Sequence, residues 1–217
     1  MRYTKALSVV LLTHLATAAF GQSSSAMPEE ALHLQKEWAR VNYEVSEDDR
    51  ADAMSNLVAS CDAMSPENPA VETVIWCGIV RSTYAGMASP FSAMKYAKAA
   101  RQDFENAIEV DGEALSGSAY TSLGTLYFKV PGWPVGFGDD DEAGEYLKKG
   151  LGLNPDGIDP NYFYGEYLYE QGEYEESRQH LLKAKNAQPR PDRPVADRGR
   201  QMEIDNLLSK MDDKLGD

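Results

Sequence analysis

Apolar residues recur every three or four positions over most of the chain beyond residue 28, the spacing of helices with one buried face. The pattern predicts helices over about 28–43, 47–64 and 71–88, and another opening at Pro90. In that last segment Ala97, Ala100, Phe104, Ala107 and Ile108 form one stripe. Near the end, Met202, Ile204, Leu207, Leu208, Met211 and Leu215 form another, opposite a charged face. Between them Pro189, Pro191 and Pro194 bar a continuous helix. The expectation is an all-α chain of about nine helices and no sheet.

A repeat organises the second half. Ala143, Leu147, Gly150 and Pro155 align with Ser177, Leu181, Ala184 and Pro189, each pair 34 residues apart. Tyr120, Leu123, Gly124 and Tyr127 answer to Asn161, Tyr164, Gly165 and Leu168, but Gly124 and Gly165 are 41 apart. The earlier unit therefore carries seven extra residues, which fall in the loop from Val130 to Gly138. This is similar to the tetratricopeptide pattern W-x2-L-G-x2-Y, A-x3-F and a closing Pro. Gly lets the two helices of a pair approach, a small residue on the second helix permits the crossing, and Pro ends it. Ala100, Phe104 and Ala107 repeat the second-helix spacing, with Gly78 as the close-packing residue of the helix before. Gly172-Glu173-Tyr174 is the turn within the last pair. A tetratricopeptide-type solenoid of helical hairpins follows, and the final stripe reads as its capping helix or as a free partner-binding helix.

The start of the chain is an address. Arg2 and Lys5 precede a mostly apolar run from Ala6 to Phe20, and Ser23, Ser24 and Ser25 open a polar stretch, the layout of a secretory signal. Ala19-Phe20-Gly21 favours cleavage before Gln22, and Ala16-Thr17-Ala18 is a second option. The division is then 1–21 signal, 22–27 linker, 28–189 helical-repeat domain, and 190–217 Pro/Arg-rich loop and capping helix. A periplasmic or secreted protein is expected, with no membrane anchor after cleavage. Export gives Cys61 and Cys77, 16 apart on either side of a Pro-rich breaker, a disulfide reading across two antiparallel helices; two buried free thiols are the alternative.

Charge removes other classes. With 21 basic against 35 acidic residues the net charge is −14, which repels phosphate and disfavours nucleic acid and anionic membranes. Three His and two Cys leave little for a metal site, and neither a metal nor a cofactor is expected. His33 and His180 fall in amphipathic helices away from any Gly-flanked nucleophile, and no phosphate or dinucleotide loop is present, so no enzyme is expected. The run Asp139, Asp140, Asp141 and Glu142 lacks the alternation of a calcium loop and suits a helix N-terminus, though calcium stays open.

The stretch from Val130 to Glu166, with V-P-G-W-P-V-G-F-G-D-D-D-E-A-G and N-P-D-G-I-D-P-N-Y-F-Y-G-E, resembles the T-component family associated with TRAP transporters, the TatT-like proteins. P-R-P-D-R-P-V-A-D-R-G-R at 189–200 resembles it too. The resemblance covers roughly 116–201 and implies a helical periplasmic scaffold for the substrate-binding protein of a tripartite ATP-independent periplasmic transporter. Some members are lipoproteins that form small oligomers; here the signal has no lipobox Cys.

Candidate binding residues follow from the solenoid. The first helix of each pair should line a concave groove through Thr121, Thr125 and Phe128, and through Tyr162, Glu166 and Tyr169. The competing reading is that these side chains pack between repeats. Trp133 and Phe137 should fold back on the solenoid, over a neighbouring pair or over a channel that would take a small or hydrophobic molecule. Some of Arg190, Arg193, Arg198 and Arg200 are expected to pair with residues 139–142 and tie the capping helix to the loop.

Overall fold

A computed structural model describes residues 26–64 and 69–215, so the signal segment, most of the polar linker and Ser65 to Asn68 lie outside the described residues. Nine helices make up the described chain: α1 Glu29–Glu44, α2 Glu47–Ala63, α3 Val71–Ala85, α4 Pro90–Asp111, α5 Ala114–Lys129, α6 Asp140–Leu153, α7 Ile158–Glu170, α8 Tyr174–Lys185 and α9 Pro194–Leu215. The expected all-α stack of tetratricopeptide-type hairpins is present, with α3–α4, α5–α6 and α7–α8 as the tightly packed pairs. Pro90 and Pro194 each open a helix, where the missing N–H costs nothing and the fixed φ suits the first turn.

Glycine sets how closely each pair packs. A Cβ on Gly124 would stand 2.8 Å from the Leu147 backbone nitrogen and 2.9 Å from the Ala143 carbonyl oxygen. On Gly78 it would meet the Phe104 ring, with Cδ1 at 2.9 Å, and on Gly165 the Leu181 side chain, with Cγ at 3.0 Å. The facing residues Phe104, Ala143, Leu147 and Leu181 are buried. At the position of Ala143 the last pair has Ser177, and its hydroxyl donates 2.6 Å to the Gly165 carbonyl. The repeat offsets in the sequence therefore mark helix crossings.

The odd-numbered helices form an inner layer in which α1 packs on α3, α3 on α5, α5 on α7, α7 on α9, and α9 back on α1. The even-numbered helices lie outside. The solenoid was expected to leave an open concave groove, and instead it closes into a ring. Closure comes from the length and position of α9. Its C-terminal half covers the last hairpin as predicted, with Ile204, Leu207 and Met211 buried against Ile158, Leu181 and Ala184. Its N-terminal half runs on to α1: Ala196 joins the cluster of Leu34, Trp38 and Val41. Gly199 gives the Tyr43 ring room that no Cβ would leave, and Arg198 reaches Glu44 at 3.4 Å. Met202, counted in the apolar stripe, is exposed because it lies outside both contacts.

Cys61 of α2 and Cys77 of α3 are joined in a disulfide with Cα atoms 5.6 Å apart. Arg81 on α3 reinforces the same seam by binding Asp62 of α2 at 2.8 Å and Asp103 of α4.

Replacing Gly124 by Ala should lower stability by about 1–3 kcal/mol, although Ala is the better helix former by about 1 kcal/mol. Thermal unfolding checks this; a raised melting temperature would mean that the α5–α6 crossing tolerates a methyl group.

Candidate functional site

The ring surrounds a partly open chamber of about 560 Å³. All five inner helices reach it, and of the outer layer only Asn154, at the end of α6, touches it. One wall is aromatic, built from Trp38 and Tyr43 of α1 and Trp76 of α3. Their rings interlock, with centroids 5.8 Å apart for Trp38 and Tyr43 and 5.9 Å for Trp38 and Trp76. The opposite wall is the hydroxyl-rich face of α5, with Ser118, Thr121, Ser122 and Thr125. Phe163 of α7 and the segment from Arg190 to Arg200 complete it.

The α5 wall begins with an unusual backbone. Leu115, Ser116 and Gly117 have φ of 49°, 56° and 77°, a left-handed turn before the right-handed helix begins. Such a conformation costs an L-residue roughly 1–2 kcal/mol. Glycine removes that cost at Gly117, where a Cβ would also stand 2.7 Å from Leu153 Cδ1. The turn puts Leu115 against the cores around Trp38 and Ile75 and on the chamber wall, so burial offsets part of its strain.

At one end of the chamber three arginines converge on one carboxylate. Asp159, in the first turn of α7, accepts from Arg190 Nη1 and, at 3.0 Å, from Arg200 Nε. Arg193 Nη1 stands 3.7 Å from it. Arg190 is also held by Asp197, its Nε donating at 2.7 Å and its backbone N–H at 2.6 Å. The Arg200 guanidinium lies over Tyr162 and Phe163, with Cζ 4.3 and 4.4 Å from the ring centres, and donates to Glu203. Burial opposes charge on Asp159, but Arg200, Arg190 and Arg193 together outweigh it and hold the carboxyl well below the usual carboxylate range. Burial pushes the Tyr43 phenol up to about 12 against the opposing pull of Arg200.

The basic cluster therefore pairs differently from the expectation. Arg190, Arg193 and Arg200 meet Asp159, and Arg198 meets Glu44; none pairs with residues 139–142. Asp139 instead caps α6, accepting 3.0 Å bonds from the N–H groups of Asp141 and Glu142. Among the described residues no group of three His, Cys, Asp or Glu side chains is placed to hold a metal. His180 sits on the edge of the Tyr164 ring, its Nδ1 3.1 Å from Asn161 Oδ1, and burial lowers its pKa.

The six groove candidates separate. Thr121 and Thr125 line the chamber, but the Thr125 hydroxyl donates to the Thr121 carbonyl at 2.8 Å and the Thr121 hydroxyl to that of Gly117 at 3.5 Å. Phe128 packs edge-on to Tyr167, and Glu166 binds Lys129 Nζ at 2.8 Å. Tyr162 is 7% exposed and belongs to the core beneath α9, while half-buried Tyr169 leans on Tyr174. In the loop, Phe137 folds back as expected, between Tyr127 and the Arg101 guanidinium. Trp133 does not; it is 90% exposed, because the loop turns at Gly132 and Gly136 before the chain returns to α6. Neither Trp133 nor Phe137 lines the chamber, which is bounded by the inner helices. Asp159, Gln35, Trp38, Tyr43 and Trp76 were not singled out by the repeat pattern. The one pointer to Asp159 was the basic cluster, whose partner had to be an acid near it in space.

No protein-family model matches the chain, and no curated protein matches it in sequence. Among solved structures, MamA AMB-1 is similar, with 15% sequence identity and a TM-score of 0.44 over 84% of this chain and 90% of that one. MamA MSR-1 is similar too, with 16% identity and a TM-score of 0.43 over 82% and 98% of the two chains. These likenesses bear on no residue of the chamber.

Replacing Asp159 by Asn should destabilise the protein by about 3 kcal/mol, roughly 6–12 °C in melting temperature, because three guanidinium groups lose their shared counter-charge. A carboxyl with a depressed folded pKa stabilises above its unfolded value near 3.9 and loses that contribution as pH falls. The gap between variant and parent should therefore be full above about pH 5 and shrink below about pH 4. A gap independent of pH, or none, would contradict the assignment.

Proposed function

We propose that the chain is a non-catalytic scaffold that docks a protein partner on its exterior. The observation that carries this reading is an exposed apolar surface where the α3–α4 and α5–α6 hairpins adjoin. Phe91, at the start of α4, is 98% exposed, and Trp133 and Val135 in the loop between α5 and α6 are 90% and 70% exposed. Met94, one turn along α4 from Phe91, stands where a Cβ on Gly136 would meet its Cε at 2.7 Å, so the helix start and the loop adjoin. Large apolar side chains held out together on a rigid frame are the usual anchors of a protein interface. Resemblance to the TatT-like family supports a finer version, in which the partner is the substrate-binding protein of a TRAP-type transporter. The disulfide suits an oxidising compartment such as the periplasm. No described helix is long and apolar enough to cross a membrane.

A second reading rests on the chamber itself. At about 560 Å³, with one aromatic and one hydroxyl-rich wall, it has the size and character of a small-molecule site. The two readings are compatible, since one uses the outside of the ring and the other its centre.

Replacing Phe91 and Trp133 together by Ala should weaken capture of the partner at least tenfold. It should leave the melting temperature within about 1 °C, since neither side chain is buried. Capture from periplasmic extract by the parent, followed by titration of the purified partner against both proteins, checks this. Undiminished affinity would remove this surface from the interface, and failure of the parent to retain any partner would count against the scaffold itself.

A further inference from the structure

Four buried polar atoms of chamber-lining residues have no hydrogen-bond partner; Arg190 Nη2 is ion-paired with Asp197 Oδ1 at 2.6 Å, which leaves Trp76 Nε1, Arg193 Nε and Gln35 Oε1. Trp76 and Gln35 are 3% and 5% exposed, so surface water does not relieve them. Buried groups of this kind are ordinarily paired, and leaving one unpaired lowers stability. The contrast with the adjoining indole is direct, since the Trp38 N–H donates to Thr83 Oγ1 at 2.9 Å. Arg193 lies against the Trp76 ring, with Cζ 5.4 Å from its centre, which places the cation and the unpaired indole N–H on one stretch of wall. Its ion pair with Asp159, at 3.7 Å, is the loosest of the three that carboxylate makes. Arg193 thus keeps charge and a donor that the knot does not satisfy. Gln35, one helical turn before Trp38, borders the chamber together with Arg193, and both also border a smaller cavity of about 260 Å³ between α1 and the start of α9.

Each unsatisfied atom states what it would accept. Two donors, one on a cation, fit the two oxygens of a carboxylate. The Gln35 oxygen needs a donor, which a hydroxyl beside the carboxylate supplies. Trp38, Tyr43 and Phe163 face the same space with apolar ring surface. An inorganic anion would leave those rings unused, and a neutral hydrocarbon would leave all three polar atoms unpaired. We propose that the chamber binds a small organic acid with an apolar body, its carboxylate on Arg193 and Trp76 and an adjacent hydroxyl on Gln35. This rests on the second reading above, and is independent of the outer apolar surface.

Calorimetric titration with 3-phenyllactate, 3-phenylpropionate and 3-phenyl-1-propanol tests it. The hydroxy acid should bind tightest, the plain acid about fivefold weaker, and the alcohol at least tenfold weaker than the plain acid. Arg193→Gln should weaken both acids about tenfold or more and change the alcohol by less than about twofold. Trp76→Phe, which keeps a ring and removes the N–H, should weaken the acids about fivefold. Gln35→Met should erase the preference for the hydroxy acid, leaving the plain acid unchanged. Melting temperatures close to the parent's identify which variants are folded, and the probe series on the parent decides the matter if one is not. Equal binding of acid and alcohol would overturn the acid assignment while leaving the chamber as an apolar site. Absence of binding by all three at millimolar concentration would overturn both.

Discussion

Asp159 carries two guanidinium groups on its two oxygens and a third within ion-pair range, and the shape of the molecule follows from where those arginines come from. Arg190 and Arg193 belong to the Pro-rich segment after the last hairpin, and Arg200 to the N-terminal half of α9. Tying all three to the first turn of α7 fixes the direction in which α9 leaves the stack. It is directed across the ring to α1, where Ala196 and Gly199 fit against Trp38 and Tyr43. A partly buried carboxylate alone would protonate, and three guanidiniums alone would repel one another and stay in water. Together they form a junction that is stable only when closed.

Closure changes what a stack of hairpins can do. In an open solenoid the inner helices would display their side chains on a concave surface. Here the corresponding side chains face one another across a chamber, or are absorbed, as Tyr162 is, into the core beneath α9. Interaction with a macromolecule is then left to the exterior, where Phe91, Trp133 and Val135 project. The interior, on the second proposed reading, is left to something small. The left-handed turn at Leu115 and Ser116 and the unpaired polar atoms of Gln35, Trp76 and Arg193 all lie on that inner wall, so the chamber concentrates the features that cost stability.

The helices and their pairing were legible because they depend on local periodicity and on glycines at crossings. Gly124 with Leu147 and Gly165 with Leu181 are the same pair in two units, 23 and 16 residues apart because the earlier unit carries the seven-residue loop insertion, and in both the glycine faces the leucine across the crossing. The disulfide was legible because a Pro-rich breaker halfway between Cys61 and Cys77 sets the two at equal heights. Ring closure was not, since nothing in the spacing of α9 says that its first half rests on a helix some 150 residues earlier. The arginine cluster was visible but assigned to residues 139–142, the densest acidic run in the chain; that run instead serves its own helix end, where N–H groups and dipole hold it. Trp133 shows the same limit from the other side, because burying a large aromatic is a strong tendency and not a rule, and this one is 90% exposed.

The central claim is that the five inner helices close through α9 onto α1. A spin-label pair on Arg40→Cys and Met202→Cys, both exposed positions on the two helices that meet, tests it most directly. Pulsed dipolar spectroscopy in solution should give one narrow distance distribution, unchanged across protein concentrations. A broad or two-peaked distribution, with a population in which the helices are apart, would show an open solenoid and contradict the account.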